Sequence, residues 1–245
     1  MSNSRILIAE LAGTWLMITF GCGVVANVLL ARSKGFGAGW LAICTGWAFA
    51  VTIGVYASNA VSGGHLNPTI TLANWVLGKT EASQIPAYVV GQFLGAVLGA
   101  VTVWLAYLPH WSVTDDASLK RGVFCTAPAI RSYPSNVLCE AIGTFVLVLG
   151  AQLMLTSDNF QKETGFPEGL APFMVGVLVW AIGLSLGGPT GYAINPFRDL
   201  GPRLAHAMLP IAGKGDSDWT YAWVPIVGPI LGALLAALVY RQVWQ

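Results

Sequence analysis

Eight apolar stretches, separated by short breaks rich in Gly, Pro and charge, organise the chain. Six are about 20 residues long or more, enough to cross a bilayer as helices, at about 5–31, 39–59, 84–107, 135–156, 169–186 and 221–243. The other two are too short to span. Each follows a Gly-containing polar break, VSGGHLNPT or PTGYAINPF, and each begins at an Asn-Pro dipeptide, Asn67-Pro68 or Asn195-Pro196. Asn is a strong N-cap and Pro is favoured at the first helical position, so half-helices are predicted over about 67–77 and 195–207. The expected fold class is an all-α membrane protein with six spans and two half-helices in one domain, 1–245.

The order of elements repeats. Three spans with a half-helix between the second and third occupy about 5–107, and the same order returns over about 135–243, joined by the polar connection 108–134. Residues repeat with it. Glu10-Leu-Ala-Gly-Thr14 opens the first half and Glu140-Ala-Ile-Gly-Thr144 the second; Gly63 and Gly191 each stand four residues before their Asn; GQFLGAVLGA of the third span answers GPILGALLAA of the sixth. Three spans per repeat is an odd number, so the second copy enters the membrane from the opposite side. The two half-helices then approach the midplane from opposite faces.

Composition strengthens the membrane reading. Charged residues are 9% of the 245 and hydrophobic ones 55%, whereas about a quarter of a soluble domain is charged. A net charge of +1 offers nothing to nucleic acid. The four cysteines lack metal-ligand spacing, so no metal and no cofactor are expected; Cys22, Cys44 and Cys139 read as small buried hydrophobes, and Cys125 falls in the polar connection without an evident partner.

Irregular backbone at membrane depth is tolerated where it lines a cavity, and two helix starts aimed at one point there suggest a pore. A solute crossing the midplane loses water, and the wall must replace those hydrogen bonds without trapping it. Asn67 and Asn195 are expected to offer side-chain NH2 groups to the lumen while their side-chain oxygens are held by their own half-helices. The carbonyls of Gly64, His65, Leu66, Tyr192, Ala193 and Ile194 would form a ladder of acceptors. Arg198 is an intramembrane cation three residues after a cap, and such a residue marks a pathway. Glu10 and Glu140, placed symmetrically, are expected to brace the neighbouring loops through backbone N–H groups. Asp199 is expected to pair with Arg32 or Lys34. His65, His110 and His206 read as packing, loop and helix-end residues, and the glycines at 91, 95, 99, 228 and 232 as close-packing positions between spans.

On the stretches SGGHLNPT and GYAINPFRDLGPRL, with the Glu-x-x-Gly-Thr repeat, the chain resembles the aquaporin family of major intrinsic proteins. Asp199 directly after Arg198 makes it most similar to the glycerol facilitator branch. The resemblance implies a selectivity filter of Trp47, Gly183, Tyr192 and Arg198, with Gly183 opening space where water-selective members place His, and with Trp47 and Tyr192 as an aromatic corner opposite Arg198. It implies a passive channel for glycerol, with water as co-permeant and protons and ions excluded, in a membrane-embedded homotetramer with one pore per subunit. Cytoplasmic termini, in a plasma membrane, rest on the resemblance alone. Charge argues the other way, since Arg5, Lys79, Lys162 and Arg241 would lie inside against Arg32, Lys34, Lys120, Arg121, Arg131 and Lys214 outside.

The chain departs from the family where the third motif residue is usually Ala, carrying Thr69 and Phe197. Phe197 either crowds the filter or packs between the half-helix and its neighbours, and the direction of a side chain just after a helix start favours packing. Other small neutral solutes suit the same architecture: dihydroxyacetone, propanediol, urea, protonated lactic acid or hydrogen peroxide. A secondary active transporter would need a coupling-ion site, for which intramembrane acids are too few. An enzyme would need a nucleophile within reach of a base, and a closed structural scaffold would need a blocked lumen.

Overall fold

Apolar runs flanked by breakers become helices in the computed structural model, which describes residues 2–154 and 166–245. In order these are α1 (Asn3–Leu29), α2 (Gly39–Ser62), α3 (Pro68–Val76), a 3-10 turn (Ala82–Gln84), α4 (Ile85–Ala106), α5 (Leu108–Val113), α6 (Ala117–Gly122), α7 (Tyr133–Met154), α8 (Phe166–Leu186), α9 (Pro196–Met208) and α10 (Val224–Trp244). Among the described residues six helices have the length and hydropathy to cross a membrane. At 1.5 Å per residue the 9-residue α3 reaches only about 14 Å, half the hydrocarbon thickness. The predicted end of the fourth span at Thr156, and Lys162, lie outside the described residues.

Packing follows the repeat. α1 packs on α2 and α4, and α7 packs on α8 and α10, while α2 meets α8 across the two halves. Each half-helix crosses over: α3 lies against α10 and α9 against α4. Small residues set these distances. A Cβ at Gly91 or Gly95 would come within 2.5 Å of the Leu7 or Leu11 carbonyl of α1, and one at Gly232 within 2.1 Å of the Ala141 carbonyl of α7. Lipid gives helices no hydrophobic reason to associate, so such backbone approach is what van der Waals packing requires.

The connection 108–134 differs from the expected polar loop. It folds into α5 and α6 and buries Trp111, Val123, Phe124 and Cys125 under the α9 end of the bundle. Trp111 stacks on Phe124, with centroids 5.5 Å apart, and Lys120 is buried with its ammonium donating to the Ala212 carbonyl. Helices of six residues are stabilised by this packing, and their periodicity is too brief to read from sequence.

Candidate functional site

Each half-helix starts from a strained loop. Gly63, Gly64 and Leu66 before α3, and Gly191, Tyr192 and Ile194 before α9, all have positive φ. For Leu66, Tyr192 and Ile194 this costs roughly 1–3 kcal/mol each. Two buried carboxylates hold the loops. Glu10 accepts from the His65 and Leu66 amides at 3.0 and 2.7 Å, and Glu140 from the Ala193 and Ile194 amides at 3.0 and 2.8 Å. Ser62 and Gln92 also donate to Glu10.

Asn67 and Asn195 cap α3 and α9 and tie them together. The Asn67 side-chain oxygen accepts from the Thr69 amide and hydroxyl, at 2.9 and 2.8 Å; that of Asn195 accepts from the Phe197 and Arg198 amides, at 3.0 and 3.2 Å. Each amide nitrogen then reaches across: Asn67 Nδ2 donates to the Ile194 carbonyl and Asn195 Nδ2 to the Leu66 carbonyl, both at 2.8 Å. Two hydrogens per nitrogen minus one leaves each asparagine a single N–H for anything passing between them. The same exchange occupies the carbonyls of Leu66 and Ile194.

A lumen of about 630 Å³ runs past these groups, lined by Gly64, His65, Leu66, Asn67, Ala193, Ile194 and Asn195 at its middle and by Trp47, Tyr192 and Arg198 toward one end. Val51, Val55, Leu147 and Val179 are among its apolar linings. Among the described residues its charged linings are Arg198 and Lys79, both cations. Thr69 and Phe197 are not part of the wall. Phe197 instead meets Phe93 of α4 edge-on, with centroids 5.5 Å apart, which is packing and not obstruction.

Two expectations for the Arg198 end need correction. Trp47 does not stand opposite Arg198: the guanidinium lies over the Trp47 ring, 4.1 Å from its centroid, as cation–π attraction favours. Nor does Gly183 enlarge the lumen. A Cβ there would fall 2.9 Å from the Tyr192 ring, so the glycine makes room for that ring, which also stands edge-on to Trp40. Gly21 also shapes this end without any mark in the sequence: a Cβ there would overlap the Trp47 ring at 2.3 Å, so α1 must be bare where Trp47 lies. The Phe124 carbonyl, in the refolded connection, accepts from Arg198 at 3.4 Å.

Asp199 is likewise not paired with Arg32 or Lys34, both of which are exposed. It holds Arg203, one turn along α9, at 2.7 Å, and accepts from the Thr126 amide and hydroxyl. Arg203 is fully buried and also donates to the carbonyls of Ser217, Asp218 and Thr126. Its i,i+4 spacing from Asp199 was the signal for this pair. His206, expected at an ordinary helix end, is fully buried against Ser217. His65 stacks on Tyr88 at 4.2 Å and bonds Thr71 and Asn74. Outside the membrane-spanning segments, the Arg131 guanidinium beside Asp218 holds that carboxyl below the usual carboxylate range. No group of His, Cys, Asp and Glu able to hold a metal occurs among the described residues.

Known proteins resemble this chain along nearly all of its length. The family model described as Major intrinsic protein matches residues 1–240. A probable glycerol uptake facilitator protein of Thermotoga maritima is 53% identical over 96% of this chain and 98% of its own length, and glycerol uptake facilitator protein 3 of Lactiplantibacillus plantarum is 53% identical over 96% and 95%. The X-ray structure of the aquaglyceroporin from Plasmodium falciparum superposes with a TM-score of 0.86 at 30% identity, covering 99% of this chain and 97% of that one.

Proposed function

The chain belongs to the major intrinsic protein family, and from that premise we propose that it is a passive transmembrane channel for glycerol, with water as co-permeant. The observation that carries this reading is a lumen lined both by polar groups, Arg198 and the two single asparagine N–H groups among them, and by apolar Val51, Val55, Leu147 and Val179. A polyol presents both kinds of surface, hydroxyl and carbon. Arg198 and the carbonyl ladder take up hydroxyl groups as water is stripped away, and the Tyr192 and Trp47 rings bound the space for carbon.

Exclusion of ions rests on fixed charge. The α3 and α9 N-termini, each equivalent to about half a positive charge, meet near the asparagines, and Arg198 adds a full one. No carboxylate lines the lumen among the described residues to offset them. With one N–H per asparagine and both side-chain oxygens already occupied, water at the midplane is oriented by donors from both sides, which opposes a continuous proton chain.

We place the termini and the Lys79 end in the cytoplasm, the Arg198 end outside, and the protein in the plasma membrane as a homotetramer with a pore in each subunit. The exposed aromatic residues Phe20, Phe49 and Tyr56 on the outer faces of α1 and α2 suit contact with lipid or with a neighbouring subunit. The test is stopped-flow light scattering of proteoliposomes in a glycerol gradient. Reswelling well above that of protein-free liposomes, with an imposed pH gradient preserved, is the expected result. Reswelling equal to protein-free liposomes would refute the reading.

A further inference from the structure

Beyond the midplane, toward the Lys79 mouth of the lumen, two amides stand near the ends of otherwise apolar helices. Asn74 of α3 and Gln152 of α7 both line the lumen and are half-buried. Half-buried amides lining a lumen are positioned to bond whatever passes through it. They belong to a chain of hydrogen bonds in which every donor points the same way. Lys79 Nζ donates to Gln152 Oε1 at 2.5 Å, Gln152 Nε2 to Asn74 Oδ1 at 2.9 Å, and Asn74 Nδ2 to His65 Nε2 at 3.0 Å. Because His65 Nε2 accepts, the neutral ring carries its proton on Nδ1, which donates to the Thr71 hydroxyl at 3.1 Å. That hydroxyl donates in turn to the Asn67 carbonyl at 3.3 Å.

This direction fixes both amides. Turning Gln152 over would set its NH2 against the Lys79 ammonium and its oxygen against the Asn74 oxygen. Each amide nitrogen therefore keeps one hydrogen in the chain and one free of any protein partner among the described residues, and the ammonium at Gln152 Oε1 polarises the amide and strengthens that free donor. We propose that Asn74 and Gln152 form a hydroxyl-binding subsite for a polyol in the cytoplasmic half of the lumen, a specificity-determining pair separate from Arg198 and from the midplane asparagines. The proposal rests on the glycerol-channel reading above. A polyol leaving the midplane toward the cytoplasm meets two neighbouring donors one hydrogen bond apart before it is fully rehydrated. Water also binds there, but it needs the site less, since its desolvation at the mouth is slight. The subsite thus favours glycerol over water.

The experiment compares Asn74→Leu, Gln152→Leu and the double variant with the parent chain in proteoliposomes, measuring glycerol and water permeability on the same vesicles. Gln152→Met serves as a second variant that keeps side-chain length and removes both hydrogen-bonding groups. Loss of one neutral hydrogen bond to the solute corresponds to about a fivefold fall in the glycerol-to-water permeability ratio for each single change, and a further fall for the double variant. Water permeability itself should be retained. A ratio within twofold of the parent in Gln152→Met and Asn74→Leu overturns the proposal, and so does a parallel loss of both permeabilities, which would reduce the pair to a structural tie between α3 and α7. A parent chain that conducts no glycerol would instead refute the channel reading itself.

Discussion

Replacing Glu140 by Gln tests how the loop before α9 is held. The carboxylate accepts from the amides of Ala193 and Ile194 on a loop where Tyr192 and Ile194 both have positive φ. A carboxamide has one oxygen, so one of the two amides faces an NH2 and loses its acceptor while remaining buried. Leaving that donor unpaired costs about 1–3 kcal/mol, and the surviving bond drops from charge-assisted to neutral, another ~1 kcal/mol. The sum, about 3 kcal/mol, is comparable to the strain stored at one or two left-handed residues, so the loop is expected to relax. Its relaxation moves the Ile194 carbonyl away from Asn67 and the Tyr192 ring out of the space beside Gly183. Detergent-solubilised Glu140→Gln should therefore unfold at markedly lower temperature, and its glycerol flux per reconstituted channel should fall at least tenfold. The equivalent change at Glu10 should be milder, because the Gln92 side-chain oxygen is buried without a partner and can turn to meet the new amide. A Glu140→Gln protein with the parent's thermal midpoint and flux would show that the carboxylates do not hold the loops; a Glu10→Gln protein worse than Glu140→Gln would refute the role given to Gln92.

Other expectations follow from the same geometry. Arg198→Ala should raise cation or proton leak in vesicles, and Trp47→Ala should reproduce part of that leak because the guanidinium loses the ring beneath it; a Trp47→Ala channel with broadened solute range and an intact ion barrier would count against the stacked arrangement. Phe197→Ala should lower thermal stability by about 3 kcal/mol through the cavity left beside Phe93 while leaving the solute ranking unchanged; a stable variant admitting larger polyols would reverse this. At the Arg198 end, Arg131 lowers the pKa of Asp218, so the pair stabilises the fold above the unfolded carboxylate value near 3.8 and that contribution is lost as pH falls through the lower folded value. The stability gap between the parent and Arg131→Ala should thus be widest near neutral pH and narrow below about pH 4, as thermal unfolding across that range would reveal.

The spans and both half-helices were legible because each rests on a local rule, a hydrophobic run of bilayer length or an Asn-Pro start, that needs no knowledge of neighbours. The observed limits differ from the expected ones by at most three residues at the described helix ends, as at Asn59 against Ser62. Partners across the fold were less legible. The sequence points Asp199 to a loop cation, whereas Arg203 one turn away is its partner, and the space expected beside Gly183 is filled by Tyr192. Gly21 carries no local mark at all, since its need arises only when Trp47 is brought against it. Asn74 and Gln152 were absorbed into apolar runs because a single amide barely alters mean hydropathy, and the lumen that gives them meaning is a property of the packed helices.

The crossed asparagine bonds also set a schedule for biogenesis. Asn67 finds its acceptor on Ile194, 127 residues further along the chain, and the Leu66 carbonyl waits for Asn195, 129 residues away. At roughly 5–20 residues per second of synthesis, the first half sits in the membrane for about 6–25 s with its half-helix start unmatched. During that interval α3 also lacks α10, the span it packs against. The nascent first half is therefore an incomplete insertion intermediate, with a Leu66 carbonyl and an Asn67 amide whose partners lie in the second half. Split between α6 and α7, the two fragments should each be degraded when made alone and should rescue one another when made together.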